Sequence, residues 1–442
     1  MIQTIDLRGS EPTPAALLAS VPRAVTSVAV ASDIAAELIA DVRARGGAAL
    51  LDQAERLDRV RPGQVRVPAR HIADAVAGLD PAVRTAITET IRRVRLASAA
   101  QVPPHATTTI EAGATVTQRW QPVNRVGLYV PGGKAVYPSS VVMNVVPAQV
   151  SGVRSIALAS PPQSHFDGRV HPTILAVAGL LGVDEIYAMG GAGAIGALAY
   201  GVEDIGLEPV QIVTGPGNVY VAAAKRLIRG QAGIDSEAGP TDILVIADAA
   251  ADPLLVAADL VSQAEHDELA AAVLVTDSVE LAGAVEARLA VLAASTTHSE
   301  RVTAALGGRQ SAIVLVDNLQ VAAAFSNAFG PEHLEIQTVD PDAVLAVIEN
   351  AGAIFLGPYS PVSLGDYVAG SNHVLPTGGQ ARFSSGLGAY TFLRPQQVVR
   401  YSREALGAVA EHIAALSNAE ALPAHGDAVT ARFETAPTAT DR

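Results

Sequence analysis

The spacing of apolar residues changes twice along the chain. Between 32 and 101 it follows a helical period. "SDIAAELIADVRARGG" opens on Ser32 as an N-cap candidate and stops at Gly46-Gly47, and "DPAVRTAITETIRRVRLASAAQ" continues in the same style. The period then shortens. "TTTIEAGATVTQRWQPV" (107–123) predicts a hairpin, and "RVGLYVPGG" a strand entering a Gly-rich loop. From 129 to 239 the short apolar runs "SIALASPP", "EIYAMG" and "QIVTGPGN" each precede a helical stretch, the βαβ pattern of a parallel sheet. The alternation resumes from 240 with "TDILVIAD", "AAAVLVTD", "SAIVLVDN", "HLEIQTV" and "GAIFLG". "QARFSSGLGAYTF" closes that block, and a helical tail bearing His and Glu follows over 401–434. No repeat has a fixed period, yet two similar α/β units in tandem are expected.

Composition narrows the class. The chain has 442 residues, 49% of them hydrophobic, which suffices for two or three domains with their own cores. Aromatic residues are only 4%, so those cores are packings of Ala, Val, Leu and Ile. The net charge of −14, without a Lys/Arg cluster, argues against a nucleic-acid or anionic-membrane partner. No apolar run reaches the roughly 18 residues of a membrane span. The N-terminus lacks a basic region followed by an apolar one, so a cytoplasmic protein is expected. Cysteine is absent. That removes disulfides, thiolate ligands and a thiol nucleophile, and leaves any metal to His, carboxylate or amide oxygen.

Three Gly-rich loops follow strands in the first α/β block. "GGAGAIG" (190–196) contains a G-x-G-x-x-G match. A dinucleotide site of that type wants an acid ending the next strand, but Glu208 precedes "QIVTG" and nothing acidic ends it. A tight Gly/Ala turn explains the residues equally well. "TGPGNVYVAAAKR" (214–226) and "YVPGGKAVYPSS" (129–140) are the other two. Amides at a helix N-terminus suit an anion. Three such loops at carboxyl ends of strands in one unit point to a ligand crevice there.

Titratable residues gather in polar islands. Gln263 and His266 in "DLVSQAEHDEL" share a helix face at i and i+3, although a solvated helix end looks the same. "SLGDYVAGSNHVLPTGG" (363–379) holds Asp366 and His373, alternatively an Asn/Gly turn with an exposed ring. Glu420 and His425 lie in the tail, where a bland surface reading is open. "AFGPEHLEI" (328–336) sets Glu332 beside His333 between two apolar runs. Without thiols, Gln/His/Asp/His is a coherent ligand set for a zinc-like ion, but spacing alone does not bring 266, 366 and 425 together. A metal-dependent hydrolase on an α/β fold, with Glu332 activating water, and a ligand-binding α/β module both remain open on these residues.

"VGLYVPGG", "TGPGN", "SQAEHD", "FGPEHLEI", "GDYVAGSNHVLPT" and "ARFSSGL" occur together, in this order. In these motifs the chain resembles the histidinol dehydrogenases over about residues 30–430. The fold expected is α/β: two Rossmann-like α/β/α domains, one inserted in the other, with helical N-terminal and C-terminal extensions. Its expected division is an arm over 1–27, a first domain of 28–128 and 240–387, an inserted domain of 129–239, and a tail of 388–442 that completes the partner's site in a homodimer.

The resemblance implies oxidation of L-histidinol through L-histidinal to L-histidine, with NAD as acceptor. It implies one Zn²⁺ per subunit on Gln263, His266, Asp366 and His425. Glu332 and His333 fall on the catalytic pair. Thr241, His373 and Glu420 fall on substrate-contacting positions, beside the metal ligands and His333. Tyr129 and Asn218 fall on NAD-contacting positions. Thr241 replaces the Ser of many members and keeps the hydroxyl. Gly193 stands where many members place an NAD-contacting Gln, so that contact is lost or replaced. The G-x-G-x-x-G match exists only through that Gly. A Gln restored at 193 is expected to leave the chemistry intact and at most to tighten NAD binding. With no cysteine, aldehyde oxidation is expected to pass through a hydrate, which needs a carboxylate to activate water; Glu332 suits that step, and neutral His333 the alcohol proton.

Overall fold

The apolar runs form two parallel sheets. The structure is a computed structural model, and it describes residues 2–10, 12–24, 28–132, 136–237 and 239–434. The first sheet has five strands, in the order Ile186–Ala188, Ser155–Ser160, Arg125–Tyr129, Ile212–Thr214 and Gly233–Ile234, every pairing parallel. Counted along the chain, that order is 3-2-1-4-5. The second sheet has six, in the order Gln3–Asp6, Ala312–Leu315, Ala271–Thr276, Asp242–Ala247, His333–Gln337 and Ala353–Leu356, again all parallel. From 242 onward it repeats the 3-2-1-4-5 order, with the N-terminal strand added at one edge. The two tandem α/β units read from the sequence are therefore present, each doubly wound. Every residue of Asp242–Ala247 and Ala271–Thr276 is buried, because helices cover both faces of the sheet.

The helices of the N-terminal third correct one expectation. Helix Val28–Arg45 begins before Ser32, which lies inside it. Ala31, Ala35, Leu38, Ile39 and Val42 keep one face apolar from its first turns, and a Ser inside a helix costs little. That face packs on Ala192, Ile195 and Leu198 of helix Gly191–Tyr200. Ile72, Ile87 and Val94 join Val126, Leu128 and Val141. These helices thus cover the five-stranded sheet. Of the loop 129–140, residues 133–135 lie outside the described residues.

The chain divides into two units, Met1–Gln101 with Val123–Phe392, and Val102–Pro122 with Leu393–Arg442. In the second unit the expected hairpin forms from Ala106–Glu111 and Ala114–Pro122, and Leu393–Tyr401 pairs antiparallel with the latter. That third strand escaped the sequence reading, because Pro395 and three charged or amide-rich steps in "LRPQQVVRY" mask it. It is an edge strand, where a Pro is tolerated. Helices Arg403–Ala419 and Pro423–Glu434 follow, as the tail pattern predicts. Among the described residues, no helix is long and apolar enough to cross a membrane.

Candidate active site

In a 3-2-1-4-5 sheet the crevice opens outside the carboxyl ends of the strands where the order reverses. In the five-stranded sheet those strands are Arg125–Tyr129 and Ile212–Thr214. Tyr129 is buried there, and its hydroxyl accepts the Gly191 N–H at 3.1 Å. Burial pushes the phenol up to about 12, so it stays a neutral hydroxyl. Helices Gly191–Tyr200 and Val219–Leu227 both start at this end. Asn218 caps the second, its Oδ1 accepting from Tyr220 N at 3.0 Å and Val221 N at 3.2 Å. The capping uses the amide oxygen and leaves the NH₂ group for a ligand. The loop before it is pinned on both sides. Gly215 N donates to Asp235 Oδ2 and Lys225 Nζ donates to Gly215 O, each at 2.9 Å, and the Lys225–Asp235 ion pair itself is buried. Gly215 has φ +118, and a Cβ there would lie 1.9 Å from the Tyr129 carbonyl oxygen. Only glycine allows so close a backbone approach.

The six-stranded sheet uses its opposite end. Thr241 precedes strand Asp242–Ala247, and Glu332 precedes its neighbour His333–Gln337, so both lie at amino ends. Gln263 sits in the last turn of helix Pro253–Ala264, and His266 in the turn after it. Helix C-termini present carbonyl oxygens and the negative end of the dipole. One doubly wound unit therefore offers helix N-termini, suited to an anion. The other offers helix C-termini, suited to a cation.

Short bonds join the polar groups at the amino ends. Gln263 Nε2 donates to Thr241 Oγ1 at 2.6 Å, and Thr241 Oγ1 donates to Glu332 Oε2 at 2.5 Å. Asp242 N donates to the same Glu332 oxygen at 3.1 Å, and Glu332 N donates to Asp242 Oδ1 at 2.7 Å. His333 Nδ1 lies 3.1 Å from the Asp242 carbonyl oxygen. A carbonyl only accepts, so Nδ1 carries the proton and Nε2 is left as the basic nitrogen. Glu332 and His333 are both buried. Burial pushes Glu332 up to about 7, with the His333 ring and the Thr241 bond opposing and Asp242 adding to the rise. His373 donates from Nδ1 to the Asp366 carbonyl at 3.0 Å and faces Ser140 Oγ from Nε2 at 3.0 Å. Burial holds its basicity below the usual imidazole range, against the Asp366 carboxylate. His266 reaches solvent, yet the protein around it lowers it too, again opposed by Asp366.

These contacts draw Thr241, Gln263, His266, Glu332, His333, Asp366 and His373 into one region. A cavity of about 120 Å³ connects it to the other sheet, lined by Gly215, Asp235, Thr241, Glu332, His373 and Thr377. Glu420 and His425 belong to the second unit, exposed at the end of helix Arg403–Ala419 and in helix Pro423–Glu434. Among the described residues of one chain, no three His, Asp or Glu side chains are grouped to hold a metal. The Gln263 Oε1 is nevertheless buried with no hydrogen-bond partner. A buried acceptor left unpaired is costly. With His266 and Asp366 beside a helix C-terminus, that oxygen fits a borderline cation held by N and O donors.

A family model described as histidinol dehydrogenase matches residues 21–433. The chain belongs to the histidinol dehydrogenase family. A histidinol dehydrogenase of Leifsonia xyli subsp. xyli is 70% identical over 433 residues, spanning 98% of this chain and 99% of that one. One from Thermobifida fusca is 58% identical over 433 residues, 98% of each chain. The crystal structure of histidinol dehydrogenase from Elizabethkingia anophelis, 31% identical, matches with a TM-score of 0.92 over 98% of both chains.

Within this histidinol dehydrogenase fold, Gly193 is not an empty slot. A Cβ built on it would lie 2.0 Å from Gln53 Oε1. Gln53 is buried, and its Nε2 donates to the Leu38 carbonyl at 3.1 Å and to Asp41 Oδ2 at 3.2 Å. That contact bears on the expectation that a Gln restored at 193 leaves the chemistry intact and at most tightens NAD binding. Gly193→Gln is expected to cost about 1–3 kcal/mol of stability by overpacking, without tightening NAD binding. Adding Gln53→Ala should return most of the loss. Thermal melting and NAD titration of the single and double variants check this; a stable single variant would refute it.

Sequence reasoning missed several supporting residues. Asp242 makes three of the bonds that hold Glu332 and His333, yet in "PTDILVIAD" it reads as the start of a strand. Glu335 is fully buried. Burial, and then the Asp259 carboxylate, hold it well above the usual carboxylate range. Gln337 Nε2 bridges Glu335 at 3.1 Å and Asp259 at 3.3 Å. A signal was present: His333, Glu335 and Gln337 share one strand face, and Asp259, Gln263 and His266 recur every three or four residues along one helix and the turn that follows it.

Proposed function

We propose that the protein carries out the zinc-dependent, NAD-linked four-electron oxidation of L-histidinol to L-histidine through L-histidinal, as a cytoplasmic homodimer. The observation that carries this reading is the buried Glu332–His333 pair, bonded to Thr241 and through it to Gln263, beside a cavity shared with the Gly215 loop. A hydrolase would share the cation-facing residues but has no use for two helix N-termini facing the same space.

Gln263, His266 and Asp366, with His425 from a second copy of the chain, would hold the zinc ion. When bound, zinc supplies positive charge that orients the substrate, and NAD⁺ accepts the hydride. Tyr129, Asn218 and the amides after Gly190 are the groups suited to NAD, with Gly193 on the same helix. His333 takes the hydroxyl proton at Nε2, because its Nδ1–H is committed to the Asp242 carbonyl. Glu332 takes a proton from the water that adds to the aldehyde. Its Oε2 is held by Thr241 and Asp242, which leaves Oε1 for that water. His373, Thr241 and Glu420 complete the substrate contacts. Helix Pro423–Glu434 buries none of its residues within the single chain, which supports a role for it against a partner.

Formation of reduced nicotinamide on mixing protein, L-histidinol and NAD⁺, followed by absorbance, tests the proposal. A chelator should abolish turnover, and added Zn²⁺ should restore it. Full turnover by protein shown metal-free by elemental analysis would exclude the zinc-dependent reading.

A further inference from the structure

We infer that Arg23, in the N-terminal segment, is a positioning residue for the Glu332–His333 pair; the inference rests on the functional reading above. Helix Pro14–Ser20 anchors the segment, with Leu17 and Val21 buried in the same core as Phe325 and Phe329. Arg23 then reaches back over the end of helix Leu319–Phe329. Its Nη1 pairs with Asp242 Oδ2. Its Nη2 donates to the Phe329 carbonyl at 2.5 Å and to the Gly330 carbonyl at 3.2 Å. The guanidinium carbon lies 3.9 Å from the centre of the Phe329 ring. One cation thus fixes the carboxylate at the start of one strand and the carbonyls of the turn that leads to the next.

Asp242 transmits that fixation. Its side chain receives the Glu332 N–H, its N–H holds Glu332 Oε2, and its carbonyl sets the His333 tautomer. The Asp242 side chain is almost wholly buried, with 1% exposure. A carboxylate in that setting needs a cation, because burying an unpaired charge is costly. Without Arg23 it would stand uncompensated beside the Glu332 carboxylate, and like charges in such a place drive the groups apart or force one to hold a proton. A lysine would not substitute fully. Its ammonium is a point charge, whereas the planar fork meets a carboxylate and two carbonyls at once while stacking on a ring. Arg23 bonds to Asp242 and the turn rather than to the groups that move protons, so it acts through Asp242.

The test uses full-length, zinc-loaded protein and the variants Arg23→Ala and Arg23→Lys, with turnover read separately on histidinol and histidinal. Misplacing a reacting group by about 1 Å costs up to about 10²-fold. Arg23→Ala should therefore lose about 10- to 100-fold in kcat on histidinal, with KM for NAD⁺ and histidinal within about twofold of wild type. Millimolar methylguanidinium should restore part of the loss. Arg23→Lys should fold, by its melting curve, and still lose several-fold in kcat. Wild-type kcat in either folded variant overturns the inference. So does a loss in Arg23→Ala that methylguanidinium leaves untouched while every KM rises, since that marks general disorder. Hydrogen exchange of the Glu332 amide gives a readout independent of turnover. It should speed up in Arg23→Ala, and unchanged exchange overturns the positioning claim. A wild-type protein that reduces no NAD⁺ with histidinol defeats the functional reading instead, and the exchange measurement still decides the role of Arg23.

Discussion

Glu332→Gln is expected to lower histidinal oxidation by about 10²–10⁴-fold, the range for loss of a general base, while oxidation of histidinol to the aldehyde falls much less. The amide keeps the shape and can still accept from Thr241, but it takes no proton from water. His333→Ala should reverse the pattern and strike the alcohol step. Equal damage to both half-reactions by Glu332→Gln would end the division of labour. The pH dependence has a definite sign. Burial raises Glu332 from its ordinary 4.5 to about 7, and the working form is the carboxylate. Wild-type turnover on histidinal should therefore rise with pH through about 7, and Glu332→Gln should lack that limb. The effect on stability has the opposite sign. A carboxyl raised in the folded state favours folding below its ordinary value, and that contribution is lost as pH rises through about 7. Glu332→Gln should accordingly gain in melting temperature relative to wild type between acid and mildly alkaline pH.

Gln263→Ala and His425→Ala should each leave a nearly inactive homodimer, and refolding the two together should return activity. The expectation rests on the proposal that the tail serves its partner's site. In a mixed dimer one site then carries both lesions. The other takes its core from the His425→Ala chain and its tail from the Gln263→Ala chain, and is intact. Random pairing makes about half the dimers mixed, so about a quarter of wild-type activity should return on a two-fold dimer. If each tail served its own subunit, every site would carry one lesion and mixing would recover nothing. Turnover of the refolded mixture against equal amounts of each parent decides between the two.

Much of the molecule was legible along the chain. Apolar runs such as "TDILVIAD" and "SAIVLVDN" are strands because helices bury both their faces, and a run without polar alternation says so locally. Gly215, in the turn after Thr214, is glycine because its backbone closely approaches the Tyr129 carbonyl, and residue type records that directly. The absence of cysteine limited the chemistry before any fold was known. Gln263, Glu332, Asp366 and His373 stood out as members of polar islands along the chain.

The tertiary structure decided what depends on residues distant in sequence. An amphipathic stripe states that a helix packs, but not on what; helix Val28–Arg45 chose the five-stranded sheet because its face fits that of Gly191–Tyr200. The same strand order, used twice, gave one unit a site at carboxyl ends and the other a site at amino ends. A glycine in a sequence has no direction, and only the fold aims Gly193 at Gln53. Arg23 and Asp242 lie 219 positions apart along the chain and meet through one ion pair. Local pattern is written residue by residue, whereas contacts of this kind exist only once two surfaces have closed on each other and excluded water.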